Sequence, residues 1–288
     1  MNWPSGRAYT EPEMHVRGCT FAWGTRTFIV GIINITPDSF SGDGLAGNIA
    51  GAVALAESFE AAGADMLDLG GESSRPGATP ITAAEECARL TPALAAIRSA
   101  VSLPISVDTY HAAVADAALC TGADLVNDIT GFRFDAAMAG VVARHGAPAI
   151  VMHNQRGRHF HDVAADVRSG FEATLSAADS AGVRRERLIL DPGFGFGWTP
   201  EQNLELVRRL PELWDFRLPL LMGTSRKSTL GLILDAPADD RLEGSAAMVA
   251  LSIAAGADLV RVHDVREMVR VARVSDAVVR GNWKREDR

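Results

Sequence analysis

The chain has 288 residues, of which 47% are hydrophobic and 22% are charged, and its net charge is −8 with an isoelectric point near 5.4. This composition excludes a disordered chain, and the acidic balance excludes a nucleic-acid surface, which needs a basic face to neutralise phosphates. No apolar run approaches the roughly 18 residues of a membrane span, and the N-terminus lacks the apolar core of a signal peptide. We therefore expect a cytoplasmic protein with neither a nucleic-acid nor a membrane partner.

Short apolar runs alternate along the chain with longer Ala-rich stretches of helical period, which is the pattern of βα units around a parallel sheet. Residues 16–27, with a turn at Gly24, precede the first run and predict a β-hairpin over the N-terminal end of the sheet. The apolar runs predict strands at 28–34, 65–70, 104–108, 125–128, 149–153, 188–191, 219–223 and 259–263. The stretches between them predict helices at about 48–63, 83–99, 111–121, 135–145, 163–182, 201–211, 241–255 and 264–280.

Eight strands, each followed by a helix, predict an α/β fold of the closed (β/α)8 TIM-barrel type, which needs about 250 residues. We expect a single domain at 16–281, a flexible N-terminal tail at 1–15 and a C-terminal tail at 282–288. An open doubly wound sheet is the alternative fold. It normally has a glycine-rich turn after the first strand, where this chain has Asn-Ile-Thr-Pro at 34–37.

Every predicted strand ends in a polar or ionisable side chain, which is typical of the catalytic face of a TIM barrel. Helix N-caps also favour Asp and Asn, so a structural role is the alternative. We expect a structural role for Asp65, Asp124 and Asp258, which begin strands, and a functional role for Asp68, Asp108 and Asp191, which lie at the opposite ends. The strand-end residues are Asn34, Asp68, Asp108, Asn127 with Asp128, His153, Asp191, the 225–227 turn, and Arg261 with His263.

Several of these residues indicate an anion site next to a site for a flat ligand. Arg261 and His263 are two residues apart on one strand, so their side chains share a face, and the Ser-Arg-Lys turn at 225–227 adds cations where such barrels commonly hold phosphate. The segment 191–197 lacks the spacing of a nucleotide loop, and its glycines let the backbone approach a flat ligand. A metal site at His153 is conceivable with His159 and His161 nearby, but no third ligand has suitable spacing.

Seven motifs follow one another in order, each at a strand end, and together they resemble those of the dihydropteroate synthase family. The resemblance extends from about residue 16 to 281. It implies a TIM barrel that condenses 6-hydroxymethyl-7,8-dihydropterin diphosphate with p-aminobenzoate, giving 7,8-dihydropteroate and diphosphate in folate biosynthesis. The motifs are GIINITPDSFS (31–41), GGESSRPG (70–77), ISVDT (105–109), VNDI (126–129), LDPGFGFG (190–197), GTSRK (223–227) and RVHD (261–264).

The resemblance also implies three subsites, one cation and a homodimer formed through the helices at 241–280. The pterin would be bound by Asp108, Asn127, Met152, Asp191, Gly223, Lys227 and Arg261. The diphosphate would be bound by Asn34, Arg261 and His263, and Asn34 would also ligate Mg²⁺. p-Aminobenzoate would contact Ser74, Arg75, Pro76, Phe196 and Ser225. Catalysis would rest on Asn34, Asp108, Lys227, Arg261 and His263.

Three positions depart from the pattern of the family. Trp198 stands where many members carry Lys, which changes the rim of the p-aminobenzoate pocket, Ser74 replaces the commoner Thr, and the acidic residue of the first loop is shifted to Asp43. Two other functions are alternatives. A pterin-dependent methyltransferase domain would not need the 70–77 loop or the 225–227 turn. A catalytically silent pterin-binding paralogue should have lost anion-site residues that this chain keeps.

Overall fold

The computed structural model describes residues 7–36, 48–73 and 78–283, and these ranges contain a hairpin and an eight-stranded parallel sheet. The hairpin consists of β1 (Glu13–Val16) and β2 (Cys19–Ala22). The parallel strands are β3 (Phe28–Asn34), β4 (Met66–Gly70), β5 (Ile105–Asp108), β6 (Leu125–Asp128), β7 (Ala149–Met152), β8 (Leu188–Asp191), β9 (Leu221–Met222) and β10 (Leu259–Val262).

The parallel sheet closes on itself. Its spatial order is β8-β7-β6-β5-β4-β3-β10-β9. The two end strands meet where the backbone N–H of Leu190 donates to the carbonyl of Pro219 at 2.9 Å, next to a parallel bridge between Leu190 and Leu220. The predicted TIM barrel is confirmed, although β9 is shorter than its predicted run of 219–223.

Nine α-helices lie in the described ranges and connect or follow the strands. Within these ranges, every helix is too short or too polar to cross a bilayer. The helices are α1 (Ile49–Ala62), α2 (Ala83–Ala100), α3 (Ala112–Thr121), α4 (Met138–His145), α5 (Val163–Ser180), α6 (Pro200–Arg208), α7 (Ser228–Leu234), α8 (Leu242–Ala254) and α9 (Val265–Val279). Two 3₁₀ helices, Arg185–Arg187 and Leu210–Phe216, complete the set.

Two helix predictions need correction. The short helix α7 was not among the eight predicted helical stretches. Helix α4 begins at Met138 rather than near residue 135, because the carboxylate of Asp135 accepts the backbone N–H groups of Ala112 and Ala137 and holds that segment in a turn.

The hairpin covers the N-terminal end of the barrel, as predicted, but its position in the sequence differs. It begins at Glu13, within the predicted tail, and its turn is Arg17-Gly18, where φ is 49° and 75°. Two adjacent positive φ values fit the two-residue turn that matches strand twist. The predicted turn at Gly24 lies beyond β2. Four hairpin-region side chains pack on the first inward residues of the barrel strands, and this cluster contains Met14, Val16, Phe21, Trp23, Phe28, Val30, Met66, Leu125, Ile150, Ile189, Leu221 and Leu259.

The three aspartates that begin strands have the structural role expected of them. Each carboxylate accepts a backbone N–H from a neighbouring strand region and pairs with an arginine, so each fixes the bottom of the barrel. The pairs are Asp65 with Arg26, Asp124 with Arg98, and Asp258 with Arg7.

Candidate active site

Side-chain alternation along the strands determines which polar groups enter the barrel mouth. Successive strand residues point to opposite faces, so residues two apart share a face. The inward bottom residue Met66 is followed by Asp68, Leu125 by Asn127, and Leu259 by Arg261. The same two-residue spacing from an inward-facing residue places five more side chains inside the barrel at its C-terminal end: Asn34, Asp108, Met152, Asp191 and His263.

The centre of this mouth is an ion-pair network around Arg261. Its Nε donates to Asp68 at 2.5 Å, and its Nη2 donates to Asp108 at 2.8 Å. Asp68 also accepts the side-chain amide of Asn127 at 2.9 Å and is completely buried. Burial raises the pKa of Asp108, and the positive charge of Arg261 opposes this shift. Residues from four strands are thereby joined into one polar floor.

A second polar group lies next to this network and consists of Asp191 and Lys227. Asp191 Oδ1 accepts the backbone N–H of Gly193 at 2.7 Å. Lys227 Nζ donates to the carbonyl of Phe194 at 3.0 Å. Burial raises the pKa of the Asp191 carboxyl and lowers that of the Lys227 ammonium, and the attraction between the two charges opposes both shifts. An acceptor and a donor are thus fixed on one wall of the mouth.

The glycine-rich segment after β8 supplies an aromatic surface beside this wall. The ammonium of Lys227 lies 4.1 Å from the ring centroid of Phe196, and the guanidinium of Arg156 lies 4.7 Å from it. Phe196 also clusters with Met152. Gly195 has φ of 82°, and a Cβ there would lie 2.8 Å from Lys227 Cδ, so this position requires glycine.

Both residues of the Arg-x-His strand therefore lie at the mouth, together with the turn after β9. Ser225 accepts the backbone N–H of His263 at 3.3 Å, and its Oγ lies 3.0 Å from His263 Nδ1. Arg226 forms an ion pair with Asp264 at 2.5 Å. Asn34 is close to the network, because a Cβ on Gly70 would lie 3.9 Å from both Asn34 Oδ1 and Asp108 Oδ2.

Two predicted strand-end residues point away from the mouth. His153 is completely buried, lies against Gly170 of α5 and contacts the side-chain oxygen of Gln155 at 2.9 Å. Asp128 accepts the backbone N–H groups of Thr130 and Phe132 and caps a turn. Each follows an inward residue by one position, so the alternation turns each toward the helices. His159 and His161 are exposed, and the one group of three potential metal ligands that converges among the described residues does not include His153.

Comparison with known proteins agrees with the family resemblance of the sequence motifs. The pterin binding enzyme family matches residues 30–263. A dihydropteroate synthase from Synechocystis sp. is 43% identical over 280 residues, covering 94% of this chain and 97% of the relative. A Clostridium difficile dihydropteroate synthase, solved with pteroic acid, is 44% identical with a TM-score of 0.87, covering 90% of this chain and 99% of that one. The enzyme from Xanthomonas albilineans, solved with 4-aminobenzoic acid, is 37% identical with a TM-score of 0.86, covering 93% and 98%.

The chain belongs to the dihydropteroate synthase family. Its members are transferases of folate synthesis, so the family predicted from the sequence motifs is confirmed, and so are the enzyme class and the fold. The residues that the family resemblance assigned to the pterin, Asp108, Asn127, Met152, Asp191, Gly223, Lys227 and Arg261, all lie at the end of the barrel where the strands terminate.

The residues that the family resemblance assigned to p-aminobenzoate are only partly described. Ser74, Arg75 and Pro76 lie outside the described residues, as does the shifted Asp43. Phe196 and Ser225 are buried beside Lys227 and His263 respectively. The Ser225 hydroxyl therefore links the predicted p-aminobenzoate subsite to the predicted diphosphate subsite.

Trp198, which departs from the family pattern, is packed into the protein. The indole is 8% exposed and stacks obliquely on His153, with ring centroids 5.6 Å apart. Its other aromatic neighbour is Phe160, at 6.4 Å. Where many family members carry a lysine, this chain has a buried indole packed on His153.

Two contributors to the site were assigned to no subsite in the sequence-based prediction, although Asp68 was expected to be functional. Asp68 was recognised as a polar strand end, and its two-residue spacing from Met66 could have placed it beside Arg261. Arg156, which lies over Phe196, follows a strand by several residues and carries no periodic signal. Only the folded loop brings it to the site.

Proposed function

We propose that this chain condenses 6-hydroxymethyl-7,8-dihydropterin diphosphate with p-aminobenzoate and releases 7,8-dihydropteroate and diphosphate. The proposal rests on the proximity of two sets of side chains in the barrel mouth, one suited to the pterin ring and one suited to the diphosphate. A set of fixed acceptors and a donor suits the edge of a pterin, and it lies beside Arg261 and His263, which suit a leaving anion. The family membership of the chain supports the same reaction.

The pterin would lie with its plane against Met152 and Arg261, next to Phe196. Its edge carries adjacent N–H donors, which the carboxylate of Asp191 accepts, while Lys227 donates to the ring carbonyl. Asp108 and Asn127 would bind the remaining edge from the polar floor. The carboxylates are already hydrogen-bonded in the protein, so they need little reorganisation when the ring arrives.

The departing diphosphate would meet Asn34, Arg261 and His263. A divalent cation suits this position, because the space above Gly70 has the oxygens of Asn34 and Asp108 on its border and hard cations prefer oxygen ligands. Asn34 would hold Mg²⁺, which supplies positive charge to stabilise the leaving diphosphate. Two carboxylates already hold the Arg261 side chain in one conformation, so it loses little conformational entropy when it binds the diphosphate.

In the reaction, the bond between the pterin methylene carbon and the diphosphate oxygen breaks, and its electron pair leaves with the diphosphate. The aromatic amine of p-aminobenzoate then forms the new carbon–nitrogen bond and releases a proton to solvent. The carboxylate of Asp108 stabilises the transient positive charge on the pterin, and orientation of the amine beside Phe196 and Ser225 supplies the rest of the catalytic effect.

Purified protein should release diphosphate only when the pterin diphosphate, p-aminobenzoate and Mg²⁺ are all present. Lys227→Met should raise the Kd of the pterin, whereas Ser74→Ala should mainly raise the KM of p-aminobenzoate. Tight pterin binding without turnover would instead indicate a silent paralogue. Equal effects of the two variants on both substrates would contradict the division of the site.

We propose further that the protein acts in the cytoplasm as a homodimer formed through α8 and α9. Leu251 on α8 and Val274 and Val278 on α9 are 56%, 68% and 62% exposed. Helix α7, which packs against α8, exposes Leu232 and Ile233 as well. Val278→Glu should convert the dimer to a monomer in sedimentation experiments, whereas Phe134→Ser, after β6 on the opposite side of the barrel, should not. A native chain that sediments as a monomer at assay concentration would refute the dimer.

A further inference from the structure

Three side chains outside the substrate site converge at the same end of the barrel. Glu72 follows β4, Glu86 lies in the first turn of α2, and His111 precedes α3. One donor atom from each lies within 4.8 Å of the other two. Among the described residues, this is the group of three potential metal ligands whose donor atoms lie so close together.

The cluster contains two oxygen atoms that have no hydrogen-bond partner although they are buried. They are Oε2 of Glu72 and Oε1 of Glu86, and the Glu86 side chain is only 1% exposed. A buried carboxylate oxygen without a donor is costly, and two such oxygens from neighbouring carboxylates add repulsion. Burial raises the pKa of Glu86, and the charge of Glu72 adds to the shift. A cation at this point would remove both penalties.

The remaining oxygens of these carboxylates are held in place by the surrounding residues. Tyr110 donates its hydroxyl to Glu72 Oε1 at 2.5 Å, and Thr109 donates to Glu86 Oε2 at 3.1 Å. His111 Nδ1 lies 2.8 Å from the same Oε2. Ligands that are oriented by outer hydrogen bonds are typical of metal sites. Each carboxylate is therefore held through one oxygen, while its other oxygen has no hydrogen-bond partner among the described residues. Binding of an ion would replace the contact between His111 Nδ1 and Glu86 Oε2.

We propose that Glu72, Glu86 and His111 bind a zinc-class divalent ion through one imidazole nitrogen and two carboxylate oxygens. Zinc accepts this donor set at about 2 Å and keeps a fourth position for water. Two carboxylates also neutralise its charge. Mg²⁺ is a poorer fit, because it prefers oxygen ligands and rarely binds imidazole. The ion would join the segment after β4 to the starts of α2 and α3, separate from the Mg²⁺ proposed at Asn34.

The test is zinc binding to the full chain after treatment with EDTA, measured against a fluorescent chelator in excess Mg²⁺. We expect one zinc ion per chain. His111→Ala and Glu72→Gln should each weaken binding by about 100-fold. The matched control is His145→Ala, which removes an exposed histidine that also pairs with an aspartate, Asp116, and should leave zinc affinity unchanged.

A second measurement on the native chain does not depend on how the variants fold. Cobalt substituted for zinc should give visible absorption bands of a site with nitrogen and oxygen ligands, and zinc should displace it. The proposal is overturned if the native chain binds no zinc at micromolar concentration. It is also overturned if both cluster variants bind zinc as tightly as the His145→Ala control, because the two orphan oxygens would then share a proton instead.

Discussion

The replacement Asp68→Asn tests whether Asp68 positions Arg261. Asp68 is completely buried and accepts hydrogen bonds from Arg261 Nε and from Asn127. Asparagine keeps the shape but removes the charge and presents an amide to one of these donors. A hydrogen bond to a charged group contributes about 1.5–3 kcal/mol. Arg261 keeps its bond to Asp108, so we expect a loss of about 2 kcal/mol, toward the lower part of that range.

Such a loss corresponds to about a 30-fold decrease in kcat/KM for the pterin diphosphate, because each 1.36 kcal/mol is a factor of ten. The assay is diphosphate release at saturating p-aminobenzoate, with thermal unfolding followed in parallel. Since Asp68 acts through Arg261, the KM for p-aminobenzoate should stay close to the native value. Asp68→Glu keeps the negative charge, so it should lose less pterin affinity than Asp68→Asn when Arg261 shifts to meet the longer side chain.

The matched control is Asp128→Asn, a second fully buried aspartate at a strand end. Its side chain faces the helices and caps a turn through the N–H groups of Thr130 and Phe132. The control should lose stability by a similar amount, while kcat/KM stays within about twofold of native once the folded fraction is corrected. If both variants lose kcat/KM equally, or if Asp68→Asn loses none, the positioning role of Asp68 is refuted.

Three further predictions follow from packing and burial. His153 is buried neutral with its pKa lowered to about 4, whereas an unfolded histidine titrates near 6.5, so the unfolded state takes up the proton first as pH falls. The free energy of unfolding should therefore fall by about 3 kcal/mol between pH 6.5 and 4 from this group, and His153→Gln should flatten that slope in urea titrations. Gly195→Ala should raise the pterin Kd at least about tenfold with the fold intact in circular dichroism, since the new Cβ displaces Lys227; an unchanged Kd would contradict the tight contact. Phe21→Ala, in the hairpin cluster, should lower the free energy of unfolding by about 3–5 kcal/mol without changing the KM of either substrate, and a purely catalytic effect would refute the structural role of the hairpin.

Several strands could be located from the sequence to the residue. The bounds of β3, β6 and β8 agree with the prediction, because in each case an apolar run changes abruptly to a polar residue where the strand leaves the core. The hairpin was placed less well. Gly18 and Gly24 both have positive φ and both suit a turn. The choice of Arg17-Gly18 depends on which side chains pack under the barrel, and that is a non-local contact.

The candidate site shows the same division between local and non-local information. The apolar runs before Asp108, Asp191 and Arg261 predict that these residues lie at strand ends, and the structure brings them to one mouth. His153 ends an apolar run in the same way, yet the sequence assigned it to no subsite, and its side chain points toward the helices. The face on which a residue lies depends on where the inward register of its strand begins, and that register is set by the neighbouring strands.

The sequence by itself determined the barrel and the chemistry at its open end, because short apolar runs and the polar residues after them are local properties. The tertiary structure decided which of those residues meet. Arg261 and Asp68 are 193 positions apart, and the cluster of Glu72, Glu86 and His111 comes from three separate segments. Closure of the sheet fixes these distances at once, since each strand can pair with its neighbours in only one register that keeps its apolar face inside.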